Sequence, residues 1–209
     1  MTALEWTLIV PARGAPHGKS RLAVPRREHL ARAFALDTIE AALGALPASA
    51  LLVVTNDDLL GPYAAAAGAR VVPDPGAGLH GAIRAAGRLT VPGSALGVLL
   101  GDLPALRPED LRAALRACQV HPRAFVPDRA GTGTVLLTVH GSVLESSFGP
   151  GSAARHQAAG FERLPLPLPR LRTDVDVRDD LEAVLALGCG RHTAAALAGA
   201  VPMGPGPEH

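Results

Sequence analysis

The chain has 209 residues, of which 48% are apolar and only 3% aromatic, and a formal charge of +1 at pH 7. That length and apolar share suit one larger domain with a full core. The near-neutral balance and the scarcity of rings exclude the basic stripe and stacking platforms that nucleic-acid binding requires, and two isolated cysteines (Cys118, Cys189) with eight scattered histidines indicate neither a disulfide frame nor a zinc site.

In chain order, the opening residues carry Glu5 and run straight into a Pro/Gly loop, so they read as a strand over 6–10 rather than a signal peptide. No apolar run approaches a membrane span, and a soluble cytoplasmic protein is expected. Further strands are predicted over 51–55, 70–72 and 96–100, each bounded by Pro, Gly, Asn or Asp. Between the first two, Leu36, Ile39, Leu43 and Leu46 recur at helical spacing. A second helix opens at Pro108 with Glu109 and Asp110 in its first turn and buries Leu111, Leu115 and Cys118.

The second half changes character. Strands are predicted over 124–127 and 135–139, joined by 128–134, and a helix opens within 148–156 (FGPGSAARH). The run 164–171 alternates Leu with Pro and Arg, which confines it to a sheet edge or an extended connection. A last long helix follows Asp176, with Leu181, Val184 and Leu185 on one face and Gly188 as terminator. The predicted fold is a single α/β, Rossmann-related domain over 1–201, with a mostly parallel central sheet and some antiparallel strands in the second half. A disordered Pro/Gly tail is expected over 202–209.

Parallel sheets bind ligands beyond the carboxyl ends of their strands. After the first strand lies the loop 11–22 (PARGAPHGKSRL), holding Lys19, the only lysine against nineteen arginines. An ammonium is a compact, mobile charge that a guanidinium fork does not replace at a crowded phosphate. The end of this loop imitates a P-loop, but Arg13 stands where the first glycine is required. After the other strands come 55–58 (TNDD), 73–81 (PDPGAGLHG) and Gly101 with Asp102, all small or polar, as a nucleotide site needs.

Asp102 projects from the end of a buried strand, and a second acidic cluster, Asp174 and Asp176, precedes the last helix. Carboxylates from two segments, completed by water and phosphate oxygens, are how Mg²⁺ is held. Asp174 is the expected partner of Asp102, and Asp176 the N-cap of the helix, although the two could exchange roles. Glycines and Ser152 at the opening of the 148–156 helix expose amide donors to an anion, with Arg155 and His156 one turn on. With the glycine-rich loop 131–134, they suggest a second substrate with its own phosphate or carboxylate.

Taken together, 19–22 (KSRL), 101–106 (GDLPAL), 131–134 (GTGT), 148–156 (FGPGSAARH) and 171–176 (LRTDVD) resemble the phosphoenolpyruvate or 2-phospho-L-lactate guanylyltransferases of coenzyme F-420 biosynthesis, in the MobA-like nucleotidyltransferase superfamily. The resemblance spans roughly 6–187 and implies a GT-A-like fold, GTP, Mg²⁺ and a phosphorylated three-carbon acid as acceptor. It implies Lys19 and Asp102 as catalytic residues, and Asp102 and Asp174 as metal ligands. Lys19, Thr134, Gly149 and Ser152 then hold the acceptor, while Pro11, Arg13, Asp74, Gly78, Leu79 and His80 surround the nucleotide. The chain departs from the pattern at His80, where the family has asparagine, at Val135, where it has a second threonine, and near Arg13, where a lysine is common. A nucleotidyltransferase with another acceptor, of molybdenum-cofactor or sugar-phosphate type, and a non-catalytic nucleotide sensor remain open at this point.

Overall fold

The computed structural model describes residues 4–12 and 27–199. The loop with Arg13 and Lys19 and the expected tail over 202–209 lie outside the described residues. Seven strands, β1 (Trp6–Pro11), β2 (Leu51–Val54), β3 (Arg70–Val72), β4 (Ala95–Leu99), β5 (Arg123–Pro127), β6 (Thr134–Val139) and β7 (Glu162–Arg163), form one sheet in the order β3-β2-β1-β4-β6-β5-β7. The first four are mutually parallel, β6 is antiparallel to both β4 and β5, and β7 pairs parallel to β5 at the edge. The predicted mixed α/β sheet is therefore present.

Among the described residues eight α-helices flank it: α1 (Arg27–Ala45), α2 (Leu60–Ala66), α3 (Gly78–Gly87), α4 (Pro108–Cys118), α5 (Ser152–Ala158), α6 (Pro169–Arg172), α7 (Arg178–Leu187) and α8 (Arg191–Leu197). Alternation along the buried strands sends Leu8, Val10, Leu51 and Val53 to one face, under α1 and α4, and Ile9, Leu52, Val54 and Val98 to the other, with Ile83 of α3 and Ala153 of α5. Both faces are covered, which is why these strands are apolar throughout. Trp6, the only tryptophan, is buried at the start of β1, edge-on to His140.

Helix α1 is buried almost all round rather than along one stripe. Leu36 and Ile39 face the sheet, Leu43 and Leu46 are half-buried, and Leu30 and Phe34 meet Ala105, Val175, Leu181 and Val184 in an outer layer. Asp37 on α1 is buried too, its two carboxylate oxygens accepting the His192 and Thr193 N–H groups at 2.9 Å, so it caps α8 from another helix. Burial, the largest influence, raises the Asp37 pKa, while those hydrogen bonds oppose it. Two sequence expectations need correction here. Leu185 is exposed, unlike Leu181 and Val184. Asp176 does not cap α7: Val177 occupies the N-cap position, and the Asp180 side chain accepts the Asp176 and Val177 N–H groups at 3.1 Å. A carboxylate inside the first turn can reach back to these donors, whereas Asp176 lies one residue too early. Among the described residues no helix is long and apolar enough to cross a membrane.

Candidate active site

The carboxyl ends of β1 to β5 and the start of β6 share one end of the sheet. Hydrogen bonds extend the ladder beyond the strands there, from Ala12 N–H to Val54 O, Thr55 N–H to Val72 O and Leu100 N–H to Val135 O, at 2.9 to 3.0 Å. Pro11, Asp102 and Thr134 are thereby brought to neighbouring strand ends. Gly101 permits the closeness: a Cβ there would lie 2.7 Å from the Pro11 carbonyl oxygen, inside van der Waals contact. The residues after it are held from behind, because the Leu103 N–H donates to Thr38 Oγ1 on α1 at 3.0 Å and the Gly190 N–H donates to Pro104 O at 2.7 Å.

Opposite runs the 173–176 segment, tied to the Asp102 loop by the Val175 N–H donating to Asp102 O at 3.2 Å. Thr173 and Val175 are buried, with Asp174 and Asp176 between and beyond them more exposed, the period-two pattern of an extended chain. Both aspartates consequently turn towards Asp102, and one carboxylate oxygen from each of Asp102, Asp174 and Asp176 lies within 4.8 Å of the other two. The donors are all hard anionic oxygens, the set that suits Mg²⁺ or Mn²⁺. With metal–oxygen bonds of about 2.1 Å, oxygens on opposite sides of such an ion sit about 4.2 Å apart, so sub-ångström adjustments close the gap. Asp174 and Asp176 thus both lie close enough to Asp102 to share an ion with it.

Asp74 lies in the loop after β3, which pairs with the loop after β2: Asn56 donates to Asp74 O at 2.6 Å and accepts the Asp74 N–H at 3.0 Å. The Asp74 carboxylate caps the turn by accepting the Gly76 N–H at 2.9 Å. Gly78, Leu79 and His80, expected in a loop, instead form the first turn of α3. Gly78 has φ of +73°, a backbone that favours glycine at the bend into the helix.

The loop between β5 and β6 corrects another expectation. Its amides do not face a ligand, because Asp128 accepts the Thr132 N–H at 2.9 Å and the Gly133 N–H at 2.7 Å. At the start of β6 the buried Thr134 side chain meets His156 on α5, with Oγ1 and Nδ1 2.9 Å apart. Gly149 and Gly151, at φ of +111° and +70°, coil the chain into α5 and place Ser152 at its first position. Arg155 donates to the carbonyls of Ser147, Phe148 and Pro150, so its fork is engaged in shaping this loop.

His156, expected beside an anion, is fully buried among Phe125, Phe148 and Phe161. Burial, then the charges of Arg155 and His80, push its pKa down to about 4. The unfolded chain takes up a proton below the ordinary imidazole pKa of about 6.5, whereas the folded chain does not until near 4. Stability contributed by this group is complete above pH 6.5 and falls by roughly 3 kcal/mol in all as the pH drops to 4. Urea unfolding of wild type and His156→Gln across that window checks this. The wild-type curve should carry the additional acid-side slope, and equal slopes would exclude it.

Comparison with known proteins places the chain among the nucleotidyltransferases. Residues 27–164 match the family profile of the MobA-like NTP transferase domain. Among solved structures, a protein of Desulfovibrio desulfuricans G20 assigned to the nucleotide-diphospho-sugar transferases superposes with a TM-score of 0.64 at 16% identity, covering 93% of this chain and 95% of that one. Rv0371c of Mycobacterium tuberculosis, solved in complex with manganese, has a TM-score of 0.50 at 22% identity, covering 88% and 100%. Phosphoenolpyruvate guanylyltransferase of Geodermatophilus obscurus is 46% identical over 205 residues, 93% of this chain and 95% of that protein. The chain belongs to the phosphoenolpyruvate guanylyltransferase family.

Proposed function

We propose that this protein transfers GMP from GTP to the phosphate of phosphoenolpyruvate and releases pyrophosphate. The observation that carries the reading is the convergence of Asp102, Asp174 and Asp176 at the end of β4, one strand from Thr134, in a chain 46% identical to a protein of that name. Pro11, Arg13, Asp74, Gly78, Leu79 and His80 would border the nucleotide, and Lys19, Thr134, Gly149 and Ser152 the acceptor.

The chemistry needs no protein nucleophile. The acceptor phosphate, with a second pKa of about 6, is already dianionic for the most part at neutral pH. One of its oxygens forms a bond to the α-phosphorus of GTP, the bond from that phosphorus to the oxygen bridging the β-phosphate breaks, and pyrophosphate leaves with the electron pair. Asp102, Asp174 and Asp176 would hold a magnesium or manganese ion, which when bound neutralises phosphate charge and acts as a Lewis acid. Lys19 draws the two polyanions together, and the Thr134 hydroxyl with the turn at Gly149 and Ser152 fixes the acceptor's orientation, so that reaction within the ternary complex replaces random encounter. We place the reaction in the cytoplasm, where GTP and phosphorylated acids are available.

Pyrophosphate release from GTP and Mg²⁺ tests the reading, with phosphoenolpyruvate, 2-phospholactate and 3-phosphoglycerate supplied separately. Release should be strongest with phosphoenolpyruvate. Release with 2-phospholactate alone would reassign the acceptor, and nucleotide binding without release from any of the three would make the protein a sensor.

A further inference from the structure

The two nitrogens of His156 have different neighbours, and one of them settles the other. Nε2 lies 2.9 Å from the backbone nitrogen of Ser147, whose hydrogen points at it. A backbone N–H can only donate, so Nε2 carries no proton. The ring, buried among three phenylalanines, is neutral, and its one proton is therefore on Nδ1. Nδ1–H then donates to Thr134 Oγ1 at 2.9 Å.

A threonine hydroxyl has one proton and two acceptor sites. With an acceptor site taken by the imidazole, its own proton must point elsewhere, and among the described residues no group is recorded as receiving it from Oγ1. We infer that His156 is a positioning residue: through the chain Ser147 N–H to His156 to Thr134 it makes the Thr134 hydroxyl an obligate donor to an anionic oxygen of the phosphorylated acceptor. This rests on the proposed placement of the acceptor beside Thr134.

The device has a second effect. Ser147 also receives the Arg155 guanidinium on its carbonyl, at 2.8 and 3.2 Å. The imidazole on one side of the residue and the guanidinium on the other join the Thr134 hydroxyl to the loop that carries Gly149 and Ser152, so the acceptor's proposed contacts are set as one unit.

Steady-state pyrophosphate release, titrating phosphoenolpyruvate at saturating GTP and then the reverse, separates the possibilities. His156→Leu should raise KM for phosphoenolpyruvate about tenfold, the loss of one oriented hydrogen bond to a charged group, with KM for GTP unchanged. His156→Gln, whose amide can accept from Ser147 and donate to Thr134, should recover much of that loss. In a Thr134→Val background His156→Leu should add less than about twofold, because the two act as one path. Nitrogen-15 NMR of the imidazole in the wild-type protein should show a proton on Nδ1 and none on Nε2, a readout that does not depend on any variant folding. An Nε2–H tautomer, or fully additive losses in the double variant, would overturn the role of His156. A phosphoenolpyruvate KM unmoved by Thr134→Val would instead remove the acceptor from Thr134, and the inference with it.

Discussion

Asp102→Asn should lower kcat/KM by about 10²- to 10³-fold, the usual effect of deleting one electrostatic contact made at the transition state. Asparagine keeps the volume and most hydrogen bonding of aspartate and removes the charge. The fold should tolerate it, because the loop is held through main-chain groups: Leu103 N–H on Thr38, Val175 N–H on Asp102 O and Gly190 N–H on Pro104 O. The stabilisation conferred by added Mg²⁺ or Mn²⁺, read as a rise in unfolding temperature, should shrink with it, since a ligand that binds only the folded state stabilises by an amount that grows with the logarithm of its affinity. Asp174→Asn and Asp176→Asn should each show the same pair of losses, more weakly at the exposed Asp176. Turnover within threefold of wild type in Asp102→Asn, with an undiminished metal response, would remove this residue from the chemistry.

Lys19→Ala should be comparably damaged, about a few hundredfold in kcat/KM, and Lys19→Arg should not restore it, because a planar fork does not replace a compact ammonium where two phosphates converge. Composition makes this accessible to chemistry as well as to mutation. Lys19 is the only lysine, so amine-selective acylation modifies one side chain and the chain's amino terminus. Acylation should abolish turnover, GTP should protect against it, and mass spectrometry should place the protected group on Lys19. Full activity in a chain acylated at Lys19 would end its claim to a catalytic role.

Much of the fold is legible in the residues because the strands are short, apolar and punctuated. Pro108 opening α4 and Gly188 closing α7 are local signals with local causes, and they predict those boundaries. Helix α3 is different. Its first turn contains Gly78 and Gly81, residues that read as loop, and it is held as helix by the burial of Ala82, Ile83 and Ala86 against the sheet. Tertiary packing there overrides propensity. Helices α2 and α8, seven residues each, are too short to announce themselves by periodicity.

For the site, the types of residue and the pairing of Asp102 with the 174–176 segment were readable, and the remaining contacts were not. Asp102 and Asp174 stand out by position, but the third carboxylate required noticing that Asp174 and Asp176 flank one buried valine, so that an extended chain aims both the same way. Asp128 turning the amides of the 131–134 loop inward, and His156 turning away from solvent towards Thr134, depend on contacts across 5 and 22 positions of sequence that no local pattern encodes.

Trp6 begins β1, and β1 runs from there towards the carboxylates, so the single indole of the protein lies at the opposite end of the strand from the proposed phosphate site. Its fluorescence should then be indifferent to nucleotide, metal or acceptor and respond only when the sheet comes apart. Every substituted protein named above thus carries its own optical control, in which unchanged emission certifies that a loss of turnover is a loss of chemistry.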